Sequence, residues 1–394
     1  MAVLKVLFWL FTAIIIYSYV GYGLLIYILL KLRNLFFGKR KTHYDPEFQP
    51  EVTLVVALYN EEKIVEAKIS DTFKIDYPSD KFKIIFITDG SSDKTPEIIK
   101  RYSGITLLHE DERRGKIAAI NRAMNYVKTP IVVYCDANTF LNKNCIKNIV
   151  RHYQDPEVAA VSGEKKIVDM YSTDHAAGAG EGIYWKYESF LKKADSDFYT
   201  VVGAAGELFS MRTDLYEPVD PNILLDDFIL SMNLCKQGYR VVYDPEAFSS
   251  ELPSASIKDE QKRKIRIGAG GIQSVLMLLP LLNIFKYGKL SFQYISHRVL
   301  RWIVCPPLLP LVYLLNAIIY FQTHENLYLV MLLLQTAFYL AAFAGWLFTL
   351  KNIKVKLLYI PYYFVFINVA MYFGFFRFIN KTQSVLWEKA NRAA

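Results

Sequence analysis

From Val3 to Leu32 the chain is apolar almost throughout, and Lys5 is the one charge before Lys31. About 20 apolar residues in a helix cross the hydrocarbon core of a bilayer. A backbone in hydrocarbon must satisfy its own polar groups, which restricts such a stretch to helix. The segment lacks the short apolar core and small-residue cleavage site of a removable leader. Lys31, Arg33, Lys39, Arg40 and Lys41 follow, and the positive-inside rule assigns that end to the cytoplasm and the first residues to the outside. By the same length rule Val299–Phe321, Leu327–Leu350 and Val355–Ile379 are three further spans. The lysines of the Lys351–Lys356 loop again point to the cytoplasm. Val275–Phe285 contains Pro280 and is too short to cross, so it is expected to lie in the interface, with Ser291–Arg301 continuing along the surface. One span plus three leaves the basic tail Lys381–Arg392 outside. Either one C-terminal segment is re-entrant or the tail breaks the charge rule.

The apolar excess belongs to the two ends, and the middle has the balance of a soluble domain. The net charge of +8 would suit nucleic acid, but the basic residues flank the apolar segments, so anionic lipid is the expected partner and nucleic acid is not. Cys135, Cys145, Cys235 and Cys305 form no CxxC pair and no zinc-type spacing, which argues against a disulfide framework and suits a reducing compartment.

Residues 51–270 alternate strand-like with helix-like patterns. Val52–Leu58 (VTLVVAL) is an apolar run, as in a buried parallel strand. Phe82–Thr88, Ile105–His109 and Ile131–Cys135 repeat the strand pattern, separated by helical stretches at Glu61–Lys74, at Ser92 or Asp93 to Tyr102, and at Lys116–Val127. This alternation predicts a mostly parallel sheet with helices on both faces. Ligands of such sheets bind beyond the carboxyl ends of the strands. Those ends carry Tyr59-Asn60-Glu61, Asp89-Gly90-Ser91-Ser92-Asp93 and Asp136-Ala137-Asn138. Asp93 serves equally as a helix cap or a ligand contact.

The segments ALYNEE (Ala57–Glu62), ITDGSSDKT (Ile87–Thr95), RRGKIAAINRAM (Arg113–Met124), CDANT (Cys135–Thr139) and LLDDFIL (Leu224–Leu230) stand in an order and spacing that resemble the inverting family 2 glycosyltransferases. That group includes cellulose, hyaluronan and poly-N-acetylglucosamine synthases. The resemblance covers about residues 50–270. It implies an α/β, GT-A-type, Rossmann-like domain flanked by transmembrane helices. It also implies transfer from a nucleotide-sugar, a UDP-sugar in the first instance, to a glycan or lipid-linked acceptor. In this sequence the motif positions assign donor binding to Ala57, Tyr59, Asn60, Glu61, Asp89, Lys116 and Asp136. Asp89 would accept from the nucleobase, and Lys116 would approach the diphosphate. A divalent cation, Mg²⁺ or Mn²⁺, would be held by Asp136 and Asn138. Asp227 would be the general base, with Asp226 beside it pushing one carboxyl pKa upward. The same pair could simply cap a helix starting there. Glu207 in GAAGEL would touch the acceptor or serve as a turn residue.

One element departs from the family. Where processive members carry QxxRW, this chain has Gln261-Lys262-Arg263-Lys264-Ile265-Arg266. Gln261 keeps its expected acceptor-side role. Arg263 or Arg266 could still clamp diphosphate, but the missing ring weakens the case for long-chain processivity. The expected layout is an N-terminal transmembrane helix (1–38), a cytoplasmic catalytic domain (39–270), interfacial amphipathic helices (271–298), about three C-terminal transmembrane helices (299–380) and a basic tail (381–394). The implied setting is a bacterial inner membrane, with export or assembly partners for cell-surface polysaccharide. A processive polysaccharide synthase is the alternative within the class. A non-enzymatic membrane or transport component is the alternative outside it, and would call for ionisable residues within the spans.

Overall fold

A computed structural model describes residues 1–38, 44–167, 176–252, 256–351, 353 and 355–382. The basic flank 39–43, Lys354 and the tail from 383 onward lie outside the described residues, so the charge arguments built on them stay expectations. In chain order the elements are α1 (Ala2–Phe37), β1 (Val52–Leu58), α2 (Val65–Thr72), β2 (Phe82–Asp89), α3 (Thr95–Ile99), β3 (Thr106–Glu110), α4 (Lys116–Met124), β4 (Ile131–Asp136), β5 (Phe140–Leu141) and α5 (Cys145–Val150). Then follow β6 (Val158–Ile167), α6 (Ala176–Phe198), β7 (Leu208–Arg212), α7 (Asp226–Lys236), β8 (Arg240–Glu251), α8 (Ile257–Met277), α9 (Lys289–Thr323), α10 (Asn326–Leu350) and α11 (Lys356–Ile379).

The strands form one mixed sheet in the order β3-β2-β1-β4-β7-β6-β8-β5. The first four are parallel, as the alternation predicts. β7 runs antiparallel between β4 and β6, and β6 pairs parallel with β8. All seven residues of β1 are buried because it lies between two strands and is covered on both faces. Leu54 and Val56 face a core shared with Ile69 of α2 and Ile149 of α5. Val55 and Ala57 face the other core, with Ile120 of α4 and Phe228 of α7. The helices after β1 and β3 are shorter than their apolar periodicity predicts: α2 begins at Val65 and α4 ends at Met124.

Among the described residues four helices, α1, α9, α10 and α11, are long and apolar enough to cross a membrane, as expected from the four apolar stretches. The segments leading into α9 differ from expectation in two places. Ser291–Arg301 does not run along a surface. It is the start of α9, and its Ser291, Gln293, Ser296, His297 and Arg298 are buried. The reason is packing: Leu290, Tyr294 and Val299 complete the core beneath β1 and α7. Nor is 275–285 one helix. It breaks after Met277 into two short turns, Leu279–Leu282 and Ile284–Tyr287, which leave Leu276, Leu279, Ile284 and Phe285 exposed. The last helix, α11, packs along α8 at close range. A Cβ on Gly374 would lie 2.6 Å from the Ala269 amide nitrogen, so glycine is what lets the two backbones approach. All four cysteines are free and buried.

Candidate active site

Much of the polar inventory at the strand ends builds loops. The Asn60 amide donates to Ser91 Oγ at 3.1 Å, and Asn60 Oδ1 accepts from the Ser92 amide at 2.9 Å. The Glu61 amide donates to Thr95 Oγ1 at 2.8 Å. Asp93 accepts from the amides of Thr95 and Glu62, both at 3.0 Å, which ties the start of α3 to the turn after β1. Asp89 is buried, and its two oxygens take the amides of Arg114 and Gly115, each at 2.8 Å. These bonds fix the loop that delivers Lys116 to the first turn of α4. Gly90 lies under that loop at φ +68°, where a Cβ would meet the Arg113 backbone at 2.7 Å. The Arg113 guanidinium covers the Tyr59 ring at 3.7 Å. Ala57 is buried and lies opposite Asp136 in the β1–β4 register.

The groups that gather are Lys116, Asp136, Asp226 and Asp227. Lys116 Nζ donates to Asp136 Oδ1 at 2.5 Å. Burial opposes the ammonium charge, but Asp136, Asp226 and Asp227 outweigh it and raise the Lys116 pKa. Asp227 is pushed up to about 7, by burial first and then by Asp226. The residue before α7 is Leu225, and no side chain caps the helix. Asp226 and Asp227 are therefore in the first turn rather than at its cap. Gly206 closes this group from above in the chain: a Cβ there would lie 3.2 Å from Asp227 Oδ2 and 3.5 Å from Lys116 Nζ. A small cavity beside the group is lined by Gly115, Lys116, Ile223, Leu224, Asp226 and Arg266.

Three expected residues lie elsewhere. Glu207 bonds Lys165 Nζ at 2.7 Å, and Lys165 also pairs with Glu251. Burial opposes the Glu207 charge, but Lys165 and Arg263 hold its carboxyl far below the usual range. Arg263 is 3.6 Å from Glu260 and 3.9 Å from Glu251, so it belongs to this buried ionic group and not to the cavity. Gln261 is exposed on α8. Of the two arginines offered by the sequence, Arg266 is the one at the cavity. The ring that Ile265 does not supply has neighbours in space: Lys264 Nζ lies 4.7 Å from the Tyr184 ring and 5.7 Å from that of Trp185. Sequence reasoning did not single out Gly206 as a neighbour of Asp227. The GAAGE run, with glycine twice in four residues, was the available signal.

No group of three His, Cys, Asp or Glu side chains among the described residues is arranged to hold a metal. The donor set at the end of β4, the Asp136 carboxylate and the Asn138 amide, is of hard oxygens. It fits Mg²⁺ or Mn²⁺ if substrate phosphates and water supply the remaining ligands, the usual arrangement for these ions.

The site is thus a basic and acidic cluster at the carboxyl ends of the parallel strands of a mixed α/β sheet, where ligands of such sheets bind. Residues 53–219 match the family model described as Glycosyl transferase family 2. The chain is 25% identical over 261 residues to the poly-β-1,6-N-acetyl-D-glucosamine synthase of Staphylococcus aureus. That alignment covers 61% of each protein. It is 26% identical over 281 residues to a dolichyl N-acetyl-α-D-glucosaminyl phosphate 3-β-D-2,3-diacetamido-2,3-dideoxy-β-D-glucuronosyltransferase of Methanococcus voltae, covering 62% of this chain and 84% of that one. Its fold is similar to that of a mannosyltransferase from Pyrobaculum calidifontis solved with GDP-mannose and Mn²⁺. The TM-score is 0.70 at 21% identity, over 96% of this chain and all of the other.

Proposed function

We propose that the chain transfers a sugar, with inversion, from a nucleoside-diphosphate sugar to a lipid-linked or short glycan acceptor, on the cytoplasmic face of a bacterial cell membrane. A UDP-sugar is the donor in this reading. The observation that carries it is the convergence of Asp136, Asp226 and Asp227 on the Lys116 ammonium. The acceptor hydroxyl attacks the anomeric carbon, the bond to the diphosphate breaks, and the nucleoside diphosphate leaves with the electron pair. Asp227 receives the hydroxyl proton, for which its raised pKa suits it near neutral pH. Lys116 and Arg266 face the departing diphosphate. A divalent cation held by Asp136 and Asn138 would offset the charge on that leaving group. Asp89 would meet the nucleobase through the lone pairs that its loop bonds leave.

Lys264 and Ile265, in place of the Arg and Trp of processive relatives, favour a lipid-linked or short acceptor over a growing polymer. The Methanococcus relative is named for a dolichyl phosphate substrate, which supports the same choice. The Staphylococcus relative is named for a polymer of N-acetylglucosamine, which makes that sugar the first donor to try.

The test uses purified chain in detergent with Mn²⁺ and a panel of nucleotide-sugars, including UDP-N-acetylglucosamine and GDP-mannose, read by released nucleoside diphosphate. One donor is expected to turn over. Asp227→Asn should lower that turnover by about 10²- to 10⁴-fold while nucleoside-diphosphate affinity holds. The kcat/KM of the unsubstituted chain should fall about tenfold per pH unit below about 7, because the base must be unprotonated. Asp226→Asn removes a charge that raises the Asp227 pKa, so that limb should move to lower pH. No release from any donor would overturn the reading.

A further inference from the structure

Ile295–Val304 of α9 is a π-helix of ten residues. Such turns are rare, usually single, and often found at functional sites. A second one, Tyr17–Gly21, interrupts α1. The two meet: the Tyr17 hydroxyl and Ser296 Oγ are 2.8 Å apart, and Arg301 Nε donates to the Ser18 carbonyl at 3.3 Å. Around them is a buried ionic group. His297 lies between Asp195, at 2.5 Å, and Glu188, at 3.2 Å. Glu188 also holds Arg298 at 2.7 Å and Arg301 at 3.3 Å. Burying charges is costly even when they pair, so their use here in place of leucines calls for a reason beyond stability.

One side chain of this group, Arg298, extends toward the candidate active site. Arg298 Nε donates to the Val202 carbonyl at 3.0 Å. Val202 opens the loop that ends in Gly206, the residue against Asp227 Oδ2 and Lys116 Nζ. The Arg298 guanidinium is 5.5 Å from the Trp302 ring, and that ring is 5.2 Å from Phe228, the neighbour of Asp227. The contacts leave no slack. Gly203 has φ +87°, and a Cβ on it would lie 2.1 Å from the Phe228 ring. A Cβ on Gly271 would lie 2.8 Å from Trp302.

We infer that Arg298, with Trp302, is a positioning residue for sugar transfer: the π-helical start of α9 holds the Val202–Gly206 loop and the first turn of α7, and so sets Asp227 relative to Lys116. This rests on Asp227 as the base. The helix that enters the apolar region is thereby part of the device that aligns the reacting groups. A shift of about 1 Å in such alignment costs on the order of 10²-fold in rate.

Arg301 is the internal control. It shares Glu188 with Arg298, but its Nε goes to Ser18 and not to the site loop. The full-length chain in detergent is assayed with whichever of UDP-N-acetylglucosamine or GDP-mannose turns over, and binding is measured with UDP or GDP to match. Arg298→Gln should lose about 100-fold in kcat with the nucleoside-diphosphate Kd unchanged within about twofold. Arg301→Gln should stay within about threefold of the unsubstituted kcat. Both variants should melt earlier, since both disturb the Glu188 group. Equal losses of turnover in the two, tracking the loss of melting temperature, would mean an ordinary structural role and overturn the inference. If Arg298→Gln does not fold, Trp302→Phe decides: reduced kcat at unchanged nucleotide affinity supports the inference, and full turnover overturns it. An unsubstituted chain inactive on every donor would instead remove the reading of Asp227, and this inference with it. That result is distinct from an active chain whose variants match it.

Discussion

Helices α9 and α10 are neighbours in the chain and equally apolar over their best 18-residue windows, yet they do different work. In α10 only 11% of that window is buried, against 33% in α9. Most of α10 faces outward with leucines and phenylalanines, as lipid-facing helices do. The N-terminal part of α9 instead carries His297, Arg298 and Arg301 into the protein, with Tyr294 and Val299 in the core beneath the sheet. The lesson is that apolarity assigns both to a membrane but says nothing about which one the catalytic domain leans on. The charges at the start of α9 do say so, because they can be there only with partners.

Substitutions can break this contrast or sharpen it. The largest effect should come from His297→Leu, which takes the shared partner from Asp195 and Glu188 and should cost about 3 kcal/mol or more. The measurement is thermal unfolding of the detergent-solubilised chain. A midpoint unchanged from the parent would show that the ionic group does not hold α9 to the domain. Gly374→Val tests the other intimate helix, α11. With a Cβ 2.6 Å from the Ala269 nitrogen it should force α11 off α8 and cost about 2 kcal/mol. Turnover should fall as well, because α8 carries Arg266. Retained activity with a normal midpoint would mean the two helices can separate freely. The smallest effect should come from Leu334→Ala in α10, whose side chain is 66% exposed. It should shift stability by less than about 0.5 kcal/mol. A loss as large as that of His297→Leu would erase the distinction between the two helices.

The half of the sheet from β1 to β4 was legible in the sequence, and the other half was not. VTLVVAL reads as a buried parallel strand because both faces of β1 are covered, so no charge interrupts it and its one polar side chain, Thr53, is paired with Thr129 Oγ1 at 2.7 Å. β7 is a five-residue strand whose partners, β4 and β6, are distant in sequence, and β5 is two residues long. Local periodicity carries no trace of such pairings. In the site, Asp136 was readable because it stands where a strand changes to loop, whereas Lys116 and Asp227 entered through the motifs that resemble the family. The loop bonds of Asp89 and Asn60 could not be read from the sequence, since backbone amides as partners leave no mark there. Arg263 and Arg266 could not be told apart by spacing. The fold separates them by giving Glu251 and Glu260 to the first and the cavity to the second. Arg298 went unnoticed because its neighbours, VLRWIV, read as the flank of a span, while the carbonyl it serves belongs to Val202.

The four buried, unpaired thiols have a practical consequence. A water-soluble, membrane-impermeant maleimide would find little to label on the native chain. A single cysteine introduced at Glu325, in the turn between α9 and α10, would then be the main reactive thiol. Labelling it in intact cells or in inverted vesicles would report on which side of the bilayer that turn emerges.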